Sequence, residues 1–108
     1  MHKTLIIYRT KDNNEPLIEW LYSLRDKMTQ ARIEARQARI EKGNFGDHKR
    51  FSGLIEVRFY FGRGYRVYCA EEGQSLVLLL IGGDKSRQDK DITKALEYLE
   101  DYNEQKKI

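Results

Sequence analysis

Cysteine occurs once in this chain, at Cys69, so no internal disulfide can form, and a reducing compartment, the cytoplasm, is the expected setting. Histidine occurs only as His2 and His48, and no grouping has metal-ligand spacing, so neither a metal nor any other cofactor is expected. Apolar runs are short. The longest, Leu76–Ile81, is far below the roughly 18–20 residues of a membrane span, so no membrane association is expected. Leu5–Tyr8 is too short for the apolar part of a secretory signal. Repeats, linkers and low-complexity tracts are also missing, and residues 1–108 read as one domain.

Charge, by contrast, is plentiful. Lys and Arg number 20 against 17 Asp and Glu, for a net charge of +3. That excess alone does not imply a nucleic-acid partner; its distribution is more informative. The segment Arg25–Arg50 carries eight basic and four acidic residues, while acids gather in Glu97–Glu104.

Periodicity divides the chain into seven elements. Lys3–Arg9 reads as a strand centred on Leu5–Tyr8. Asn14-Glu15-Pro16 opens a helix whose apolar face is Leu17, Trp20, Leu21 and Leu24. Met28–Lys42 is a second helix, with a small-residue stripe (Met28, Ala31, Ala35, Ala38) suited to close approach and a basic stripe (Arg32, Arg36, Arg39). Gly43 fits the position after its end. Asn44–Gly53 reads as a loop. Leu54–Phe61, Tyr65–Ala70 and Ser75–Ile81 read as three strands, the last apolar enough to be central and covered on both faces. Ser86-Arg87-Gln88-Asp89 resembles a capping box opening a C-terminal helix with Ile92, Ala95, Leu96 and Leu99 inward, and Asn103–Ile108 is expected to fray. The β-α-α-β-β-β-α order predicts an α+β fold. Its sheet has four strands and is mostly antiparallel, with two N-terminal helices packed on one face and a C-terminal helix. Lys3–Arg9 should lie beside Ser75–Ile81.

Strand alternation aims the polar side chains. With Gly62-Arg63-Gly64 as the turn, Tyr60 faces Arg66 and Arg58 faces Tyr68. Arg58, Tyr60, Arg66 and Tyr68 then share one face, with Glu56 placed to orient Arg58, and Ile55, Val57, Phe59, Phe61 and Val67 share the other. A slip of one residue would bury a guanidinium among apolar side chains, at a cost of several kcal/mol. The pattern suits an ordinary solvated sheet face. It equally suits a site where arginine forks meet phosphate and tyrosines stack on bases.

Five stretches carry a family resemblance: Glu56–Tyr68, Leu78–Ile92, Trp20-Leu21, Arg39-Ile40 and Gly43-Asn44-Phe45-Gly46-Asp47. Together they resemble the addiction-module killer proteins of the RelE/HigB-like toxin group, in the RelE/ParE superfamily. The resemblance implies a toxin held in a hetero-oligomer by a cognate antitoxin, often a helix-turn-helix protein. It implies a ribosome-dependent mRNA endonuclease working without metal. The substrate's 2′-hydroxyl attacks the neighbouring phosphorus, leaving a 2′,3′-cyclic phosphate and a free 5′-hydroxyl. Two other readings stand beside it: a ParE-like DNA gyrase inhibitor, and a non-catalytic regulatory relative that only binds antitoxin.

The same resemblance distributes roles. Tyr65-Arg66-Val67-Tyr68 matches the family's catalytic-arginine motif, which gives Arg66 phosphate binding and transition-state stabilisation. Arg58 is a neighbouring phosphate contact, and Lys85 a candidate for phosphate binding or proton transfer. Tyr60 and Tyr68 offer stacking planes. Gln88 is placed to position a base or the antitoxin. Lys49 and Arg50 stand where RelE-like toxins carry functional basic residues, with His48 beside them. Arg32, Arg36 and Arg39 form either a solvated face or a grip on ribosomal RNA. No tyrosine follows Lys85 at short range, where some RelE-like toxins have one.

Overall fold

A computed structural model describes residues 2–107. The elements are β1 (Thr4–Ile7), α1 (Pro16–Ser23), α2 (Lys27–Glu41), β2 (His48–Phe51), β3 (Leu54–Arg58), β4 (Arg66–Glu72), β5 (Leu76–Gly83), a 3-10 turn at Lys85–Arg87, and α3 (Gln88–Gln105). The architecture is α+β. Five strands form one mixed sheet in the order β1-β5-β4-β3-β2, parallel only between β1 and β5. Among the described residues no helix is long and apolar enough to cross a membrane.

The sheet therefore has five strands rather than the four expected, because part of the expected Asn44–Gly53 loop is strand β2. Ser52 and Gly53, both with positive φ (52° and 81°), make a two-residue turn that pairs Phe51 with Leu54 and His48 with Val57. An edge strand bonds on one side only and needs no apolar alternation, so His-Lys-Arg-Phe gave no strand signal; Ser-Gly was the available clue. With β2 added, the middle of the sheet falls to β4. β5 is still flanked on both sides, as its apolar run requires.

Two cores lie on opposite sheet faces. Helices α1 and α2 press Leu17, Leu21, Ile33 and Ile40 against Ile55, Val57, Phe59, Val67, Cys69, Val77 and Leu79. Helix α3 covers the other face, packing Ala95, Ile92 and Leu99 near Leu54, Tyr68, Ala70, Leu78 and Leu80. The face carrying Arg58 and Arg66 is thus open only at one end.

Local chemistry explains the helix limits. Pro16 sits in the first turn of α1, where its missing N–H costs nothing. Asp26 caps α2 by accepting from Met28 N and the Thr29 hydroxyl, at 3.0 and 2.9 Å. The inward face of α2 is Thr29, Gln30, Ile33 and Ile40. Met28, Ala31, Ala35 and Ala38, expected to approach something closely, are exposed. Asp84, rather than Ser86, makes the cap before α3, accepting from Ser86 N at 2.9 Å. Helix α3 runs on through Asn103–Gln105, where fraying was expected; Ile108 lies outside the described residues.

Pairing of β3 with β4 is displaced by two residues from the sequence expectation. Arg58 faces Arg66 and Glu56 faces Tyr68. A shift of two preserves every side chain's face, because the strand period is two. The longer connection lets Phe59, Phe61 and Tyr65 cluster, with ring centroids 5.9 and 5.7 Å apart, and Tyr65 meets Trp20 edge-on at 6.2 Å.

Between β4 and β5 there is a bulge. Tyr68 pairs with Ile81 but Cys69 with Leu79, leaving Leu80 unmatched. Leu80 and Ile81 consequently both face α3. The following glycines alternate: Gly82 lies against the Trp20 indole of α1 and Gly83 against the Asp91 carboxylate of α3, so close that neither site has room for a Cβ.

Candidate functional site

Where the β3–β4 hairpin meets the segment after β5, a cleft of about 440 Å³ opens, lined by Arg58, Tyr60, Tyr65, Arg66 and Lys85 with the Gly62 and Gly64 backbone. Strand pairing puts Arg58 opposite Arg66. Lys85 reaches the same place because its backbone N–H donates to the Arg63 carbonyl at 3.3 Å, tying the turn after β5 to the hairpin. Gly64 sits between the two basic side chains: a Cβ there would lie 3.5 Å from both Arg66 Nη1 and Lys85 Cβ. Three predicted residues far apart in sequence are thereby brought together.

Arg66 is the most constrained of the three. Its Nη1 donates to the Gly64 carbonyl at 2.7 Å. Its Nε lies 3.7 Å from Glu56 Oε2, is buried, and has no hydrogen-bond partner. Glu56 is itself only 2% exposed. Its Oε2 accepts from the Tyr68 hydroxyl at 3.0 Å and from Gln88 Nε2 at 2.9 Å. Glu56 therefore serves Arg66, not Arg58 as the alternation suggested.

Arg58 takes a different carboxylate. Its Nε donates to Asp47 Oδ2 at 3.2 Å, and the Asp47 carbonyl accepts from the Arg58 backbone N–H at 3.0 Å. Behind it, Arg36 Nη1 donates to the carbonyls of Phe45 and Arg58 at 3.3 and 3.2 Å, with its guanidinium over the Phe59 ring at 4.6 Å. Burial and the nearby Arg39 charge press the Arg36 pKa downward. Arg36 is thus a brace within the fold and leaves the expected basic stripe. Arg32 and Arg39 remain exposed, Arg32 over the Phe61 ring at 4.8 Å.

The other expected contacts divide. Tyr60 is 80% exposed at the cleft edge, the one accessible ring of the pair. Tyr68 is wholly buried and cannot stack on a base; burial and the Glu56 charge push its hydroxyl pKa well above the ordinary value. Gln88 is tied to Glu56 instead of facing a ligand. Pairing with Glu56 places Lys49 on the Arg58–Arg66 face, whereas Arg50 points to the opposite face and bonds Glu71 at 2.6 Å. The His48 ring is engaged with the Gly46 carbonyl at 2.8 Å. Cys69 is buried, which pushes its thiol up to about 12 and makes it a poor nucleophile.

Sequence reasoning named Gly64 only as a turn residue and Asp47 only within the resemblance, gave neither a place in the site, and misplaced Glu56. Asp47 became visible only once β2 brought its loop beside β3. Among the described residues no group of three His, Cys, Asp or Glu side chains could hold a metal ion. Chemically, the cleft offers one fixed guanidinium, a second beside it and an ammonium. Such an arrangement suits a phosphate or phosphodiester better than a neutral ligand.

No family model matches the chain, and no solved structure matches it. An uncharacterized protein of Haemophilus influenzae is 49% identical over 77 residues, which cover 70% of this chain and 78% of that protein.

Proposed function

This chain belongs to one family with the uncharacterized Haemophilus influenzae protein, and within that family we propose that it is a RelE/HigB-like toxin, a ribosome-dependent mRNA endonuclease acting in the cytoplasm. The observation carrying the proposal is the convergence of Arg58, Arg66 and Lys85 on one cleft with exposed Tyr60 at its edge. The parallel β1–β5 pair beside an antiparallel meander supports a RelE/ParE-like fold; strand β2 is an addition to the four-stranded form.

In this reading the 2′-oxygen of the message attacks the adjacent phosphorus. A bond forms between them and the bond from phosphorus to the 5′-oxygen breaks. The 2′-hydroxyl loses its proton, and the leaving 5′-oxygen gains one. Negative charge grows on the non-bridging oxygens, where the Arg66 fork and the Lys85 ammonium stabilise it. Arg58 binds a flanking phosphate and Tyr60 stacks on a neighbouring base. Exposed Arg32, Arg39 and Lys49 add salt-dependent contact with the ribosome. A cognate antitoxin, of the helix-turn-helix type, holds the toxin in an inactive hetero-oligomer.

Induced expression in a bacterium, followed by primer extension on abundant messages, tests this. Discrete cuts within translated regions are expected, absent in Arg66→Ala and absent when translation is blocked. Growth arrest with intact messages would replace the proposal with gyrase inhibition. Soluble protein without arrest would leave a regulatory relative.

A further inference from the structure

Glu56 is a carboxylate at 2% exposure on a sheet face otherwise packed with Leu54, Tyr68 and Ala70. Burying a carboxylate is costly unless its charge is matched, and an apolar side chain would fill the position more cheaply. Two neutral donors hold it, the Tyr68 hydroxyl and the Gln88 amide, both on Oε2. They fix where the charge sits without neutralising it. Among the described residues the only cation within ion-pair distance of it is Arg66, whose Nε lies 3.7 Å from the same oxygen; Lys49, its cross-strand neighbour on β2, is exposed.

Arginine carries five N–H donors in a rigid plane. In Arg66 one Nη1 hydrogen is engaged by the Gly64 carbonyl, and the Nε edge is turned to Glu56. With two edges anchored, the rest of the guanidinium can point only toward the cleft that Arg66 lines. The Nε contact is too long for a hydrogen bond, so Glu56 acts here by charge and by direction.

We propose that Glu56, held by Tyr68 and Gln88, is a positioning residue that aims the Arg66 guanidinium at the scissile phosphate. The proposal rests on the endonuclease reading above, and it assigns Gln88 to the support of Glu56, not to base recognition. A fork misdirected by a fraction of an ångström loses most of its value to a transition state while still attracting the substrate.

The test uses full-length protein in two arms. In the first, single-turnover cleavage is measured on ribosomes programmed with a defined message. Glu56→Gln keeps the shape and removes the charge. It is expected to slow cleavage at saturating ribosomes about ten- to hundredfold, with half-saturation unchanged within about twofold. Tyr68→Phe, which deletes one support and no charge, is expected to show a smaller loss of the same kind, and it keeps the test open should Glu56→Gln fail to fold. In the second arm, the Arg66 Nε–H resonance is followed in nitrogen-15-labelled protein. It is expected to move in both variants. Wild-type protein that cuts no message would defeat the endonuclease reading but leave the second arm to decide. A folded Glu56→Gln or Tyr68→Phe protein with the wild-type cleavage rate, or with an unmoved Arg66 resonance, would overturn the positioning role.

Discussion

Arg58 and Arg66 stand directly opposite one another on β3 and β4, two cationic side chains on one sheet face. Like charges so placed destabilise a sheet. Each has its own carboxylate, Asp47 for Arg58 and Glu56 for Arg66, at 3.2 and 3.7 Å from the respective Nε. An anion lying between the two guanidinium groups would relieve the remaining repulsion. Sulfate, added at constant ionic strength to about ten times its dissociation constant, should stabilise the fold by about 1.4 kcal/mol. The melting temperature should rise by about 4–8 °C, and the rise should vanish in Arg66→Ala. A thermal melt in sulfate matched against chloride checks it; equal melting temperatures would mean that the cleft binds no anion.

Gly64 is required by its backbone. Its φ is +72°, while a Cβ there would make only ordinary contacts, 3.5 Å from Arg66 Nη1 and from Lys85 Cβ. Gly64→Ala should cost about 1–2 kcal/mol of stability from the left-handed backbone alone. Urea denaturation measures this. Anion binding should weaken as well, since the hairpin must move to relieve the strain.

The arginines of α2 should separate sharply on substitution. Arg36→Ala leaves two carbonyls without their donor and strips the Phe59 ring of its cover. A loss of about 1–3 kcal/mol is expected. Arg39→Ala, on the exposed side, should change stability by less than about 0.5 kcal/mol and act only on ribosome co-sedimentation. Equal stability of the two variants would return Arg36 to the solvent-facing stripe.

Asp91 gives the pH prediction. Burial raises its pKa above the ordinary 3.8, outweighing the favourable charge of Arg87. A carboxyl with a raised folded pKa binds its proton more tightly when folded. Its contribution to stability is fully present below the unfolded pKa and is lost as pH rises through the folded one. Asp91→Asn removes that loss. The variant should be more stable than wild type at neutral pH, and the advantage should disappear as pH falls below 3.8. Paired denaturation curves across that range check the sign; an Asp91→Asn protein less stable at neutral pH would mean that the carboxylate has a partner.

Much of this was legible in the residues, and the limits are physical. Helical spacing located α1 and α3 because their apolar faces repeat cleanly. It misread the contact side of α2, because alanines can sit in water or in a core while the inward Thr29 and Gln30 look polar. Alternation assigned the faces of β3 and β4 correctly, yet side chains alone could not fix their pairing: a slip of two leaves every face unchanged. For that reason Arg58, Arg66 and Lys85 could be gathered from the sequence, while Glu56 was given to the wrong arginine and Asp47 to neither. Asp47 depends on an edge strand with no apolar signature, and the burial of Glu56 and Tyr68 depends on how far α3 extends over the sheet.

The unmatched Leu80 has a consequence for how such a chain can change over time. Beyond it, the phase of β5 decides that Gly82 meets Trp20, Gly83 meets Asp91, and Lys85 emerges beside Gly64. Replacing Leu80 by another apolar residue alters a side chain in the core. Removing it would close the bulge and leave Ile81, Gly82 and Gly83 opposite Tyr68, Val67 and Arg66 as before, whereas losing a residue between Gly82 and Lys85 would carry Lys85 away from Arg66. Relatives that share this cleft should therefore tolerate a gap at Leu80 but not one between Gly82 and Lys85.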